Sequence, residues 1–295
     1  MFRVVKASAA VTFPVQSLEH LDALWIQVAG TLCNLTCTHC FVPSGPGIDR
    51  HGMMPRDEVR RHVADGVALG ARELYLTGGE PFLHPDLLEI LEECLDLLPC
   101  TVLTNGTLFT AHRIARLSSL SESTRHSLEI RVSLDGLTAE DHDRVRGPGT
   151  FERTIEGLAA LEAAGLMPIV TVTQPDGEDA AGFSTRCRTL LRSRGLRRPR
   201  IKLLPLYRIG RETTRSRGYD DTERLDGLGA DALAAVKLPC ASCRAVTSRG
   251  VFVCPLLVDD PGARLGGTLA HADGPFELST GPCFTCLTTG ATCSN

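Results

Sequence analysis

Six short apolar runs, at 24–28, 73–77, 101–104, 129–134, 168–173 and 201–206, alternate with five amphipathic segments, at 55–70, 87–98, 111–120, 151–165 and 184–195. This alternation constrains the fold more than any other feature of the chain. Strand–helix repetition returns the chain to the same end of the sheet each time, so the strands pair in parallel and the helices cover them. Six such units suit a partial (β/α)6 barrel better than a closed eight-fold one. In sheets of this kind ligands gather at the C-terminal ends of the strands. Thr150, before the fourth helical segment, reads as its N-cap.

With 295 residues, the chain has room for one such domain plus an appendage. A net charge of −4, from 31 basic and 35 acidic residues, supplies no field that would recruit nucleic acid or an anionic membrane. No apolar run is long enough to span a bilayer, and the first residues lack a signal-peptide core, so a cytoplasmic location is expected. Twelve cysteines in a reducing compartment are metal ligands or reactive thiols rather than disulfides. Three lie at 33–40, six lie between 240 and 293, and Cys94, Cys100 and Cys187 stand alone. Two groups of cysteines predict two metal sites.

The first group is CNLTCTHC, with Cys33, Cys37 and Cys40 in a loop directly after the first strand. Three thiolates are one short of a closed zinc site or of a cubane held entirely by protein. A CxxxCxxC loop can hold three irons of a [4Fe–4S] cluster and leave the fourth open, although a surface zinc loop is the plainer alternative. With Phe41 next to the last cysteine, the loop resembles that of the radical S-adenosylmethionine (SAM) superfamily. The resemblance covers residues 24 to about 206. It implies a partial barrel, and SAM chelated by the open iron and cleaved to a 5′-deoxyadenosyl radical. Gly78, Gly79, Glu80 and Pro81 match the family's GGEP motif at the end of the second strand. Asn105 after the third strand, and Ser133 and Asp135 after the fourth, match positions that contact SAM in similar enzymes.

The second group resembles a twitch domain, the shortened SPASM domain that binds one auxiliary [4Fe–4S] cluster. Cys240, Cys254, Cys283 and Cys286 are the implied ligands, with Cys243 able to replace Cys240 and Cys293 a spare. A four-cysteine zinc ribbon is the alternative. The implied organisation is an N-terminal extension (1–23), the barrel (24–206), a polar linker or bridging helix (207–237) and the twitch module (238–295).

This resemblance implies hydrogen-atom abstraction from a carbinol carbon of a small polar natural product such as a sugar, aminocyclitol or aminoglycoside. About 23 residues precede the first strand, too few for a leader-peptide-binding domain, which favours a small substrate over a peptide. Epimerisation is the leading expectation, with Cys187 as candidate hydrogen donor and Cys243 second. The alternatives are a carbinol dehydrogenase using the auxiliary cluster as electron acceptor, a peptide maturase with a separate leader-binding protein, and a non-enzymatic metal-binding module. An electron donor such as flavodoxin or ferredoxin is the implied protein partner. His39 is placed to hydrogen-bond a cluster sulfide, and His51, His84 and His126 read as surface residues.

Overall fold

The computed structural model describes residues 12–175, 177–228 and 237–292. Its strands are β1 (Val15–Gln16), β2 (Ala23–Gln27), β3 (Glu73–Thr77), β4 (Cys100–Thr104), β5 (Leu128–Ser133), β6 (Ile169–Thr173), β7 (Arg200–Leu204), β8 (Cys243–Thr247), β9 (Gly250–Phe252), β10 (Arg264–Gly266) and β11 (Phe276–Glu277). Its α-helices are α1 (Arg56–Ala68), α2 (Leu87–Leu95), α3 (Ala111–Ser123), α4 (Ala139–Arg146), α5 (Thr150–Ala163), α6 (Ala180–Ser193) and α7 (Gly281–Thr289). Strands β2 to β7 pair in parallel in sequence order, as the alternation predicts. The sheet continues past its first strand. Strand β8 pairs in parallel with the free edge of β2, and β9 and β10 extend it antiparallel. The C-terminal cysteine-rich segment is therefore stitched into the barrel sheet, a contact that a reading of separate modules does not contain.

Alternation along each strand separates two environments. Leu24, Ile26, Leu74, Leu76, Val102, Ile130, Val132, Val170 and Val172 are buried in the main core. Helix α2 meets that core with Leu87, Ile90, Leu91, Cys94 and Leu95, the three-four spacing of one helical face. Each such side chain contributes roughly 1.5–3 kcal/mol when fully buried. Helix α6 does the same with Phe183, Cys187 and Leu191. Cys187 is 0 % exposed in this core and does not line the cavity on the other face of the sheet, so the expected hydrogen donor is a packing residue. Its position follows from spacing, since Phe183, Cys187 and Leu191 fall four apart on one stripe.

Helix α4 has no counterpart among the five predicted helices. Its signals are present locally: Thr138 Oγ1 accepts from the Asp141 N–H at 3.1 Å, acidic residues fill the first turn and basic residues the last. Helix α5 begins at Thr150 with Gly149 before it, so Thr150 is not the cap. Asp143 of α4 does the capping, accepting from the N–H groups of Gly149 (2.6 Å) and Phe151 (2.8 Å). His51 and His84 are likewise not surface residues. His51 is 0 % exposed and bonds Asp259 at 2.7 Å, and buried His84 donates to the Met54 carbonyl at 2.9 Å.

Candidate active site: two cysteine-lined cavities

The interior of the barrel holds a cavity of about 210 Å³ at the C-terminal ends of the strands. Cys33, Cys37 and Cys40 line it together with Gly78, Gly79, Asn105 and Ser133. Close packing explains the glycines. A Cβ on Gly79 would sit 2.1 Å from the Leu32 carbonyl oxygen, and Gly78 has φ +132° with the Gly30 carbonyl oxygen 2.9 Å from its would-be Cβ. The turn after β3 thus lies against the cysteine loop, with the Gly79 N–H donating to Gly30 and the Glu80 N–H to Leu32. Downstream, the Arg211 N–H donates to the Cys40 carbonyl at 2.9 Å and its guanidinium to Ser44 O at 2.8 Å, pinning the loop from the other side.

Glu80 and Pro81 do not line the cavity. Glu80 is 0 % exposed, and its carboxylate accepts from Phe82 N–H (3.0 Å), Thr104 Oγ1 (2.7 Å) and Asn105 N–H (2.8 Å). Burial pushes this carboxyl up, and the three donors oppose the shift. Glu80 is a clamp between the ends of β3 and β4 that sets where Asn105 stands. The Asn105 side chain then donates to Asn34 Oδ1 at 2.9 Å and comes within 3.9 Å of Cys33 Sγ.

Asp135 works at one remove as well. It lies outside the cavity wall, bonded to Arg146 Nε at 2.6 Å and His39 Nε2 at 2.8 Å, both of which do line the wall. Burial pushes the Asp135 carboxyl up, but Arg146 and His39 outweigh it and hold it well below the usual carboxylate range. His39 is therefore engaged with Asp135 through one ring nitrogen. Arg146 brings positive charge within 4.0 Å of Cys37 Sγ. This network came from no sequence signal for Arg146, which sits in the unpredicted helix α4.

The second cavity, of about 30 Å³, is ringed by Cys240, Cys254, Cys283 and Cys286 within apolar walls that include Leu238, Val253, Leu257 and Phe276. It is larger than the space one water needs. Cys243 is elsewhere: it is 2 % exposed on β8 and packs with Ala23, Trp25 and Tyr75 inside the barrel. Cys240 precedes that strand, in the turn Pro239–Ala241, and lines the cavity, whereas Cys243 does not. Cys293 lies outside the described residues, as do 1–11 of the expected N-terminal extension and 229–236 of the expected linker.

Burial pushes the thiols of Cys33 and Cys240 up to about 12 and that of Cys286 up to about 11. Three cysteines line the first cavity and four the second. Residues of this chemistry fit a three-cysteine cluster with SAM in the first cavity and a four-cysteine cluster in the second. The two spaces share a wall. Leu256 lines both, and Tyr207, which lines the first, has its hydroxyl 3.5 Å from Cys286 Sγ of the second.

A partial parallel barrel with a CxxxCxxC loop and a glycine turn at its C-terminal face defines the class of enzymes that cleave SAM at an iron–sulfur cluster. The chain belongs to the radical SAM superfamily, whose family model matches residues 28–177. It is 37% identical over 142 residues to the AdoMet-dependent heme synthase of Methanosarcina barkeri, covering 48% of this chain and 38% of that one. It is 30% identical over 143 residues to the antilisterial bacteriocin subtilosin biosynthesis protein AlbA of Bacillus subtilis, covering 48% and 31%. The match thus spans well under half the length of either relative. Among solved structures, native anSMEcpe with bound AdoMet superposes with a TM-score of 0.60 at 18% identity, over 85% of this chain and 79% of that one, a likeness of fold.

Proposed function

We propose that this chain is a radical SAM oxidoreductase that removes a hydrogen atom from a small polar substrate in the barrel cavity and completes the oxidation across the wall between the two cavities. When bound, SAM on a [4Fe–4S] cluster supplies the 5′-deoxyadenosyl radical, and an auxiliary cluster supplies a one-electron acceptor. Cys33, Cys37 and Cys40 would hold the first cluster, and Cys240, Cys254, Cys283 and Cys286 the second. Gly78, Gly79, Asn105 and Ser133 would seat SAM, with Glu80 and Asp135 fixing the strand ends from behind. For a carbinol substrate, loss of the carbon-bound hydrogen atom followed by one electron and the hydroxyl proton leaves a ketone.

The observation that supports this reading is the shared wall of Leu256 and Tyr207: an acceptor held by the four C-terminal cysteines would lie beside the substrate space. Epimerisation, the leading expectation from sequence, needs a thiol facing the substrate. Among the described residues the cysteines lining the cavity are the three of the loop, while Cys187 packs in the main core and Cys243 against Trp25 and Tyr75. The test is to incubate anaerobically reconstituted protein with SAM, reductant and candidate substrates in D2O. Oxidation yields a product two mass units lighter with no new carbon-bound deuterium. An isomer of unchanged composition carrying one deuterium would overturn the reading in favour of epimerisation. A second reading, modification of a peptide delivered by a separate leader-binding protein, is favoured by the likeness to AlbA. A precursor peptide as the consumed substrate would establish it.

A further inference from the structure

We infer that Arg244 is the internal counter-ion of the C-terminal four-cysteine site, a buried positive charge that makes a cluster held there easier to reduce than the one in the barrel. This rests on the reading of Cys240, Cys254, Cys283 and Cys286 as ligands of one cluster. The first observation is burial. Arg244 is 2 % exposed and is among the largest side chains to be fully buried. Arginine is almost never fully buried without a charged partner, because the guanidinium loses its hydration and keeps its charge.

The second observation is what Arg244 bonds. Its Nε donates to the Ala272 carbonyl at 2.5 Å, and its Nη1 to the carbonyls of Cys240 at 2.8 Å and Cys243 at 2.7 Å. All three acceptors are neutral backbone oxygens, and among the described residues no carboxylate forms an ion pair with this side chain. The carbonyls satisfy donors and leave the charge uncompensated. Burial lowers the Arg244 pKa from its ordinary value, and among the charges that oppose burial the sulfurs of Cys243, Cys240 and Cys254 act more strongly than the exposed carboxylate of Asp273. The strongest opposing charges are therefore sulfurs.

The third observation is position. Alternation along β8 puts Arg244 on the face opposite Cys243, which packs with Trp25 and Tyr75 inside the barrel. Arg244 lines neither cavity, yet it grips the backbone of Cys240, which lines the second. It stands behind that site as a fixed charge. Four thiolates outweigh the charge of an iron–sulfur core, so a closed cluster is an anion and becomes more so on reduction. A buried cation beside it favours the reduced form, with little solvent to screen the effect. The first site differs in compensation. Arg146 comes near Cys37 but is paired with Asp135 at 2.6 Å, so its charge is cancelled locally. Of the two arginines, the one at the C-terminal site keeps its full field, which directs an electron from the barrel to that site.

The test is a potentiometric titration, followed by electron paramagnetic resonance, of the anaerobically reconstituted full chain and of Arg244→Gln and Arg244→Lys. Gln keeps a donor for the carbonyls and removes the charge, whereas Lys keeps the charge. Arg244→Gln should disfavour reduction of the auxiliary cluster tenfold or more, a negative shift of about 59 mV for one electron. The SAM-responsive cluster should not move, and Arg244→Lys should restore most of the wild-type midpoint. An unchanged auxiliary midpoint in Arg244→Gln, equal shifts at both clusters, or a shift in Arg244→Lys as large as in Arg244→Gln would overturn the inference. If Arg244→Gln retains only about four irons, Arg244→Lys carries the test: about eight irons at the wild-type midpoint support the counter-ion, and about four overturn it. About four irons in the wild-type protein would show, separately, that the reading of the second site had failed.

Discussion

The two cysteine-lined cavities differ in what surrounds the sulfurs. In the loop after β2 the sulfurs sit among groups that can bind, with Asn105 near Cys33, Arg146 near Cys37, and polar Gln27, Ser133 and Thr171 further in. In the C-terminal cavity the walls are leucine, valine and phenylalanine, and the polar contacts go to the sulfurs themselves: Tyr207 hydroxyl to Cys286 at 3.5 Å and Thr280 hydroxyl to Cys283 at 3.2 Å. On the proposed reading, three ligands in a polar cavity would leave an iron open to a second molecule, while four in an apolar cavity would close the site and leave electron transfer. The proposed division of chemistry from electron storage thus falls between two surroundings that the fold joins by pairing β8 with β2.

Replacing ligands tests that division with the largest effects. Cys33→Ala, Cys37→Ala or Cys40→Ala should abolish 5′-deoxyadenosine formation, measured by chromatography after anaerobic reconstitution. Near wild-type cleavage by any of them would break the comparison on its first side. Cys254→Ala or Cys283→Ala should lower iron from about eight to about four per chain while the SAM-responsive paramagnetic signal persists. Full iron retention in both would remove the second site.

Two further substitutions have smaller expected effects. Glu80→Gln sets an NH2 among three donors in a fully buried position, so it should cost about 3 kcal/mol of stability, read as a fall in denaturation midpoint. An unchanged midpoint would mean that Glu80 is not a clamp. Tyr207→Phe should move the potential of the auxiliary cluster more negative, because a hydrogen bond to a ligand sulfur favours the reduced state, and leave the SAM-binding cluster where it was. Equal shifts in both clusters would contradict the separate surroundings.

Much of this was legible in the sequence because its signals are local. The strand–helix alternation located β2 to β7, and the loop cysteines, the glycine turn and Asn105 fall on strand ends where chemistry gathers. What was not legible depends on long-range pairing or on which face a residue takes. Strand β8 is five residues long, and nothing in CRAVT announces that its partner lies more than two hundred residues earlier. Cys187 looked close to the site because it follows β6, yet its four-residue spacing from Phe183 and Leu191 commits it to the core. That stripe was readable. So was the alternation in LEIRVS, where Ile130 and Val132 face the core and Arg131 and Ser133 the cavity, a pattern that marks a polar interior.

The central claim is that this chain holds two clusters of unlike function, one open to SAM and one closed. Iron and zinc analysis combined with electron paramagnetic resonance of the reduced, anaerobically reconstituted protein, with and without SAM, tests it most directly. About eight irons and no stoichiometric zinc are expected, with one of two reduced-cluster signals changing on SAM addition and the other unaltered. About four irons, zinc at either site, or a spectrum indifferent to SAM would contradict it.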